Sequence, residues 1–286
     1  MIDLHTHTTA SDGASSPARL IEEALAASLA AISVCDHDTL AGSEAAAPIA
    51  REAGLDFIGG IELSARFRDD GQPRGPSIHL LGYFPHRPPS TGFHDWVVDL
   101  QAQRRERNAR MIERLRAHGV DVSIDEVTEL SGGLPGRPHF ARVLLRKGYV
   151  PDYESAFREY LGEFGRAYVA RRSPEVGEAI RRIGEAGGVA SLAHPVRFKK
   201  YGARFEEFVA RMKDLGLRAI EIYHSEHSNE DVEHFRARAR DHRLLVTGGS
   251  DYHGDLKPNV RLGMGSTSHC SIPDEILETL RDSARP

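Results

Sequence analysis

Short apolar runs and amphipathic stretches take turns along this chain. Residues 2–4 open it with Ile-Asp-Leu, and Ser16-Pro17 follows, a side chain able to cap a helix and a proline suited to its first turn. A helix is predicted from there to about residue 28. Residues 31–34 (Ala-Ile-Ser-Val) read as the second strand, 43–53 as the second helix and 57–62 as a third strand. Residues 62–67 and 78–84 then read as the arms of a hairpin, joined by the turn-rich Asp-Asp-Gly-Gln-Pro-Arg-Gly-Pro of 69–76.

From 92 to 172 this rhythm stops, and composition shifts toward helix and arginine, with one long helix predicted over about 93–118. Shorter helices and a Gly-Gly-Leu-Pro-Gly loop running into Arg137-Pro138-His139 follow. The alternation then resumes with helix 174–186, strand 189–192, helix 205–215, strand 219–222, helix 230–241 and strand 244–247. Strands followed by helices, with polar residues at the C-terminal ends of the strands, describe an α/β barrel of parallel strands whose site lies on that face. Residues 1–91 and 173–286 are expected to form the barrel, and 92–172 an inserted, mainly helical subdomain that caps it. The chain shows no internal repeat and no low-complexity tract.

The bulk properties narrow the setting. At 286 residues the chain can bury a large core. It has no apolar run of bilayer length, and a secretory signal does not fit a first strand that begins almost at Met1. Its two cysteines, Cys35 and Cys270, make no disulfide framework and suit a reducing cytoplasm. Cys35 reads as a small buried strand residue. A net charge of −5 argues against non-specific binding to long duplex nucleic acid.

The chemistry stands where the strands end. His5 and His7 alternate by two, so both side chains leave one face of the first strand and can bind one ion. Asp12-Gly13 reads as a turn or a ligand, and His37 stands between Asp36 and Asp38, which could orient it from behind. Glu62 follows an apolar run, where a lone carboxylate would be costly to bury. His79, Ala193-His194-Pro195 and Ser250-Asp251-Tyr252-His253 complete the set. Each feature alone has an ordinary structural explanation. Together, imidazoles and carboxylates from many strand ends have one economical explanation, a pocket holding more than one divalent metal ion.

These same residues carry a family resemblance. Ile2-Asp3-Leu4-His5-Thr6-His7, Ser11-Asp12-Gly13, Asp36-His37-Asp38, Glu62, His79, Ala193-His194-Pro195 and Ser250-Asp251-Tyr252-His253 resemble the PHP (polymerase and histidinol phosphatase) domain, from Met1 to about Gly265. The resemblance implies a distorted (β/α)7 barrel and three divalent ions (Mn, Fe or Zn). His5, His7, Glu62 and Asp251 would hold the first ion, Glu62, His79 and His194 the second, and Asp12, His37 and His253 the third. A bridging Glu62 would set two cations about 3.5–4 Å apart and acidify a shared water into the nucleophile, while the third ion neutralises phosphoryl charge. Catalysis would centre on Glu62, Asp251 and His194, with Arg137 assisting.

Within the family, the inserted arginine-bearing subdomain resembles that of small bacterial phosphoesterases acting on nucleoside 3′,5′-bisphosphates and short 5′-phosphorylated oligonucleotides, RNA or DNA. The insertion would then supply cations for the phosphate that does not react. Arg104, Arg107 and Arg114 could share a helix face next to Asn108, and Arg137 and His139 would be presented by the glycine-rich loop. His224, after strand 219–222, is a further candidate on the barrel face. Three other readings stay open. A histidinol phosphate phosphatase is one. An amidohydrolase barrel also begins with His-x-His but commonly bridges its ions with a lysine, a place taken here by Glu62. A non-catalytic, metal-stabilised binding module is the third, and the filled ligand set weighs against it.

Overall fold

The computed structural model describes residues 1–67, 77–131, 133–170, 173–201 and 204–284. Seven strands form one sheet in sequence order: β1 (Ile2–Thr6), β2 (Ala31–Val34), β3 (Asp56–Arg66), β4 (Ser77–Phe84), β5 (Val189–Leu192), β6 (Ala219–His224) and β7 (Leu245–Gly249). The sheet curls into a nearly closed barrel. Its seam is held on the site side, where Asp251 N–H donates to His5 O at 2.8 Å, His7 N–H donates to Tyr252 O at 2.9 Å, and Thr6 bridges Tyr252. Gly249 allows this approach, because a Cβ there would lie 2.1 Å from the His5 Cβ.

The barrel is parallel, as expected, except at the strand read from the sequence as the second arm of a hairpin. β4 runs antiparallel to both neighbours, β3 and β5, while the other adjacent pairs are parallel. The physical reason is the short connection: a hairpin can join only antiparallel strands, whereas a parallel return needs a crossover. The predicted segments 57–62 and 62–67 are one strand, β3, and the turn expected at 69–76 lies outside the described residues. Glu62 therefore sits inside a strand, paired with Leu81, and Ser64 pairs with His79.

Helices α1 (Pro17–Ala26), α2 (Ala41–Glu52), α7 (Val176–Glu185), α8 (Arg204–Asp214), α9 (Asn229–Asp241) and α10 (Glu275–Ser283) accompany the barrel. Ser16 caps α1 by accepting from Arg19 N–H, with Pro17 at the first position, as the sequence predicts. In α7 the spacing of Val176, Ala179, Ile180 and Ile183 buries one stripe, which joins Ile61, Leu63, Leu80 and Ile220 in the main core. Each such Leu or Ile contributes about 1.5–3 kcal/mol by leaving water.

Between the hairpin and α7 lie α3 (Thr91–Ala117), α4 (Ile124–Ser131), α5 (Arg137–Arg146) and α6 (Tyr153–Ala156), the last running into a π-helical turn, Phe157–Leu161. The buried stripe of α3 changes partners along its length. Phe93, Trp96, Val97 and Leu100 belong to the barrel core. Met111, Ile112 and Leu115 belong to a second core with Val127, Phe140 and Leu144. Between the two stretches, Arg104, Arg107 and Asn108 are buried on the same stripe. Arg114 does not share that face; it is exposed and donates to Tyr168 O. Among the described residues no helix is long and apolar enough to cross a membrane.

Candidate metal centre

Nine candidate ligands converge at the end of the barrel where the seam closes. His5 lies within β1 and His7 one residue beyond it, both fully buried, with ring centroids 5.1 Å apart as the two-residue spacing requires. Glu62 is the hub. Its Oε1 lies 2.9 Å from His79 Nδ1 and 2.9 Å from His194 Nε2. Its Oε2 faces a different set, His5 Nε2 and His7 Nε2 at 3.3 Å each and His37 Nδ1 at 3.1 Å. Asp251 Oδ1 approaches His7 Nε2 at 3.2 Å and His5 Nε2 at 3.7 Å. Asp12 serves the outer side, with Oδ1 3.4 Å from His253 Nε2 and 3.7 Å from His7 Nδ1, and Oδ2 3.6 Å from His37 Nε2.

Burial and charge act together on these groups. Burial alone would raise the Glu62 carboxyl, but His37, His79 and His5 outweigh it and hold it well below the usual carboxylate range. Asp12 and Asp251 are likewise held low against burial, Asp12 by His37 and His253 and Asp251 by His224 and His253. His37 is pushed down to about 4 and His194 well below its ordinary value, in both cases chiefly by burial. Against burial, Glu221 and Glu62 hold His5 well above its ordinary value, and Asp251 and Glu62 raise His7 to about 9, so these two rings must give up a proton for a cation to bind; carboxylates with imidazoles so deprotonated are the donor set that Mn, Fe(II) and Zn accept.

Whether the residues fit cations is tested by their unsatisfied atoms. His5 Nε2, both ring nitrogens of His7, His37 Nδ1 and Glu62 Oε2 are buried without a hydrogen-bond partner. Buried polar atoms are seldom left so, and a cluster of them around one carboxylate is explained by a metal centre. Three groups built from these candidates each have their ligand atoms within 4.8 Å of one another: His5, His7, Glu62 and Asp251; His37, Glu62 and His79; and His7, Asp12, His37 and His253. His194 joins the second through its contacts with Glu62 and with His79 Nδ1, 3.3 Å away.

Behind the ligands stands a layer that orients them; Asp3, Asp36 and Asp38 lie within the motifs quoted above, and Glu221 carries no motif. Glu221, on β6 and fully buried, accepts from His5 Nδ1 at 2.9 Å and from His194 N–H at 2.6 Å. Asp3 accepts from Ser250 N–H and Gly263 N–H, tying β1 to the Asp251 loop. Asp36 does not orient His37; it takes Thr8 N–H at 2.8 Å and the Thr8 and Ser11 hydroxyls, fixing the turn that carries Asp12. Asp38 accepts from Ser64 N–H at 2.9 Å and from Arg104 Nη1 at 3.1 Å. Asp38, His194 and Asp251 all have left-handed backbone, with φ of 57°, 31° and 58°. Strain of that kind persists where surrounding contacts over-determine a functional site.

The substrate candidates divide. Arg104, Arg107 and Arg137 line a cavity of about 250 Å³ beside Asp12, His37 and His79. Arg104 is also tied to Asp38 and to Pro135 O, so it braces the wall as well. Asn108 lies behind that wall, donating to Pro135 O at 2.8 Å. Arg137 and His139 are not in a loop; they occupy the first turn of α5, where Gly136 ends the extended chain and Pro138 suits the helix start. His139 Nδ1 accepts from Gly136 N–H at 3.0 Å, and the ring borders a second cavity of about 380 Å³. His224 ends β6 rather than following it, and is fully buried. Its Nδ1 accepts from Glu226 N–H at 3.0 Å, which leaves the proton on Nε2, 3.6 Å from Asp251 Oδ2.

With this geometry in view, comparison with known proteins gives a consistent result. Residues 3–186 match the model of the PHP domain. The chain is 32% identical over 256 residues to a 5′-3′ exoribonuclease of Haemophilus influenzae, covering 88% of this chain and 89% of that protein. It is 30% identical over 254 residues to a 3′,5′-nucleoside bisphosphate phosphatase of Chromobacterium violaceum, covering 88% and 87%. A crystal structure from Bifidobacterium adolescentis assigned to the metal-dependent phosphoesterases superposes with a TM-score of 0.80 at 29% identity, covering 100% of this chain and 96% of that one. The protein therefore belongs to the PHP domain family.

Proposed function

We propose that this protein is a metal-dependent phosphoesterase that removes the 3′-phosphate from nucleoside 3′,5′-bisphosphates, leaving the 5′-monophosphate. The observation that carries this reading is the division of labour in Glu62, each of whose oxygens faces its own set of imidazoles. That is the arrangement of a carboxylate bridging two cations. Its relatives support the substrate, one being named for 3′,5′-nucleoside bisphosphates and another for 5′-3′ degradation of RNA.

In this reading three divalent ions, Mn, Fe or Zn, would be held by His5, His7, Glu62 and Asp251; by Glu62, His79 and His194; and by Asp12, His37 and His253. Bound divalent ions supply an acidified water as nucleophile and neutralise charge on the phosphoryl oxygens. Glu62, Asp251 and His194 hold the reacting centre, and Glu221 fixes His194 and the neighbouring His5. Arg137 and Arg107 grip the 5′-phosphate in their cavity, so the 3′-phosphate is the one that reaches the metals. Residues 92–172 act as a helical cap that brings these arginines over the barrel. The unpaired thiols of Cys35 and Cys270 suit a cytoplasmic enzyme acting on a small nucleotide.

The test is phosphate release from adenosine 3′,5′-bisphosphate carrying a labelled 3′-phosphate, with manganese and with chelator. Label should be released, AMP should remain, and chelator should stop the reaction. Glu62→Gln should lower turnover by at least about two orders of magnitude with the fold retained. Release of the 5′-phosphate first would reverse the two subsites, and activity undiminished in chelator would end the metal mechanism.

A further inference from the structure

Both oxygens of Glu62 face imidazoles, but the two oxygens of Asp251 face opposite kinds of group. Oδ1 looks into the ligand cluster, 3.2 Å from His7 Nε2 and 3.7 Å from His5 Nε2. Oδ2 looks toward cations. Lys257 Nζ lies 2.6 Å from it and Arg197 Nη2 3.1 Å, with His224 Nε2 on the same side at 3.6 Å. A buried carboxylate is thus divided, one oxygen to the ligands and one to two fixed positive charges.

Each cation is placed by the stretch of chain that follows a ligand. Lys257 closes a short 3-10 helix, Gly254–Leu256, that starts directly after His253; its N–H donates to Gly254 O at 3.0 Å, and Nζ also comes within 3.4 Å of Asp251 O. Gly254 makes this turn possible, with φ of 65° and with Ala14 Cβ only 2.9 Å from where a Cβ would stand. Arg197 belongs to the 3-10 helix Pro195–Tyr201 that follows His194. Glu226 holds its guanidinium at Nε, 3.0 Å away, and at Nη2, 2.5 Å away, and so keeps Nη2 turned on Asp251.

A carboxylate can give a divalent cation one oxygen or both. What Oδ2 already does decides between them here: charge-assisted hydrogen bonds occupy it, and an ion drawn to it would be repelled by the Lys257 ammonium and the Arg197 guanidinium. We propose that Lys257 is a positioning residue which, together with Arg197, restricts Asp251 to binding through Oδ1 alone. The inference rests on the metal centre proposed above and concerns how that centre stays reactive. A hydrolytic ion needs a coordination place that the protein leaves open, and a second oxygen from Asp251 would fill it. Lys257 also borders the larger cavity, so a direct grip on substrate is the competing role.

The experiment loads the full chain with Co(II), whose visible absorption weakens as its coordination number rises, and compares the native protein, Lys257→Met and Lys257→Arg at equal metal content. Because the Lys257 side chain is partly exposed and Arg197 still faces Asp251, both variants should fold. In Lys257→Met the absorption should weaken, and kcat on adenosine 3′,5′-bisphosphate should fall at least about tenfold with KM little changed. Lys257→Arg, which keeps a cationic donor, should restore both in large part. An unaltered Co(II) spectrum in Lys257→Met overturns the proposal, and a raised KM with kcat kept would then assign Lys257 to the substrate. Native protein that takes up no Co(II) overturns the metal centre, and the restriction on Asp251 with it. Native protein that takes up Co(II) yet leaves the bisphosphate intact overturns the substrate alone, and the Lys257→Met spectrum still decides the role of Lys257.

Discussion

Glu221 Oε1 lies 2.9 Å from His5 Nδ1, on the opposite side of the ring from the Nε2 that faces Glu62. By accepting there it fixes the tautomer of His5 and leaves Nε2 with its lone pair toward the metal centre. Glu221→Gln keeps the volume but sets an amide N–H against either His5 Nδ1–H or His194 N–H, since one carboxylate now accepts from both. Metal affinity should fall about 10- to 100-fold. Metal content after dialysis against graded chelator measures this, and unchanged affinity would mean that packing alone orients His5.

Arg137 should matter only when a second phosphate is present. Removing one charge-assisted hydrogen bond costs about 1.5–3 kcal/mol, or roughly ten- to a hundredfold in kcat/KM. Arg137→Ala should show that decrease with adenosine 3′,5′-bisphosphate and much less with p-nitrophenyl phosphate. Equal decreases on the two substrates would place Arg137 at the reacting phosphate or in the fold alone.

Arg104 and Asp38 form a buried ion pair at 3.1 Å between α3 and the end of the barrel. Breaking such a pair from one side leaves an uncompensated charge, which costs about 3–5 kcal/mol. Arg104→Leu should lower stability to chemical denaturation by that order, and the double variant Arg104→Leu/Asp38→Asn should recover part of it. Equal destabilisation in the single and double variants would show that the charge of Asp38 is not the cause.

His227 sets a pH dependence of stability. Its Nδ1–H donates to Ile222 O at 2.7 Å, and burial pushes its pKa down to about 4 from an ordinary 6.5. Between those values the unfolded chain binds the extra proton, so this contribution is complete above about pH 6.5 and is lost as pH falls toward 4. At pH 5 the loss amounts to about 2 kcal/mol. An asparagine can keep the donor without titrating, so the stability advantage of the native protein over His227→Asn should shrink by that amount between pH 7 and pH 5. Parallel curves for the two proteins would remove His227 from the account.

What could be read from the sequence follows the range of each interaction. The alternation of strand and helix and the nine candidate ligands were legible because periodicity and short motifs are local. The reversal at β4 was legible too, as the predicted hairpin; the continuity of its first arm with the preceding strand was not. Glu62 was expected at a strand end because 62–67 read as a separate arm, and Arg137 was expected in a loop because glycine and proline there also suit a helix start. Glu221 was passed over inside the apolar run Ala-Ile-Glu-Ile, yet a carboxylate in a fully buried strand always calls for a partner. Arg197 and Lys257 carry no motif; only the fold turns both onto one carboxylate.

Helix α3 is one 27-residue rod whose first half is set in the core of the barrel and whose second half is set in the core beside α5. It has no internal glycine after its first turn, and no proline, at which to bend. The two bodies are thus mounted on a common shaft, and the gap between them behaves as a fixed gauge rather than a jaw. A gauge of fixed width would sort substrates by cross-section, so the site proposed here would select its nucleotide without having to close on it.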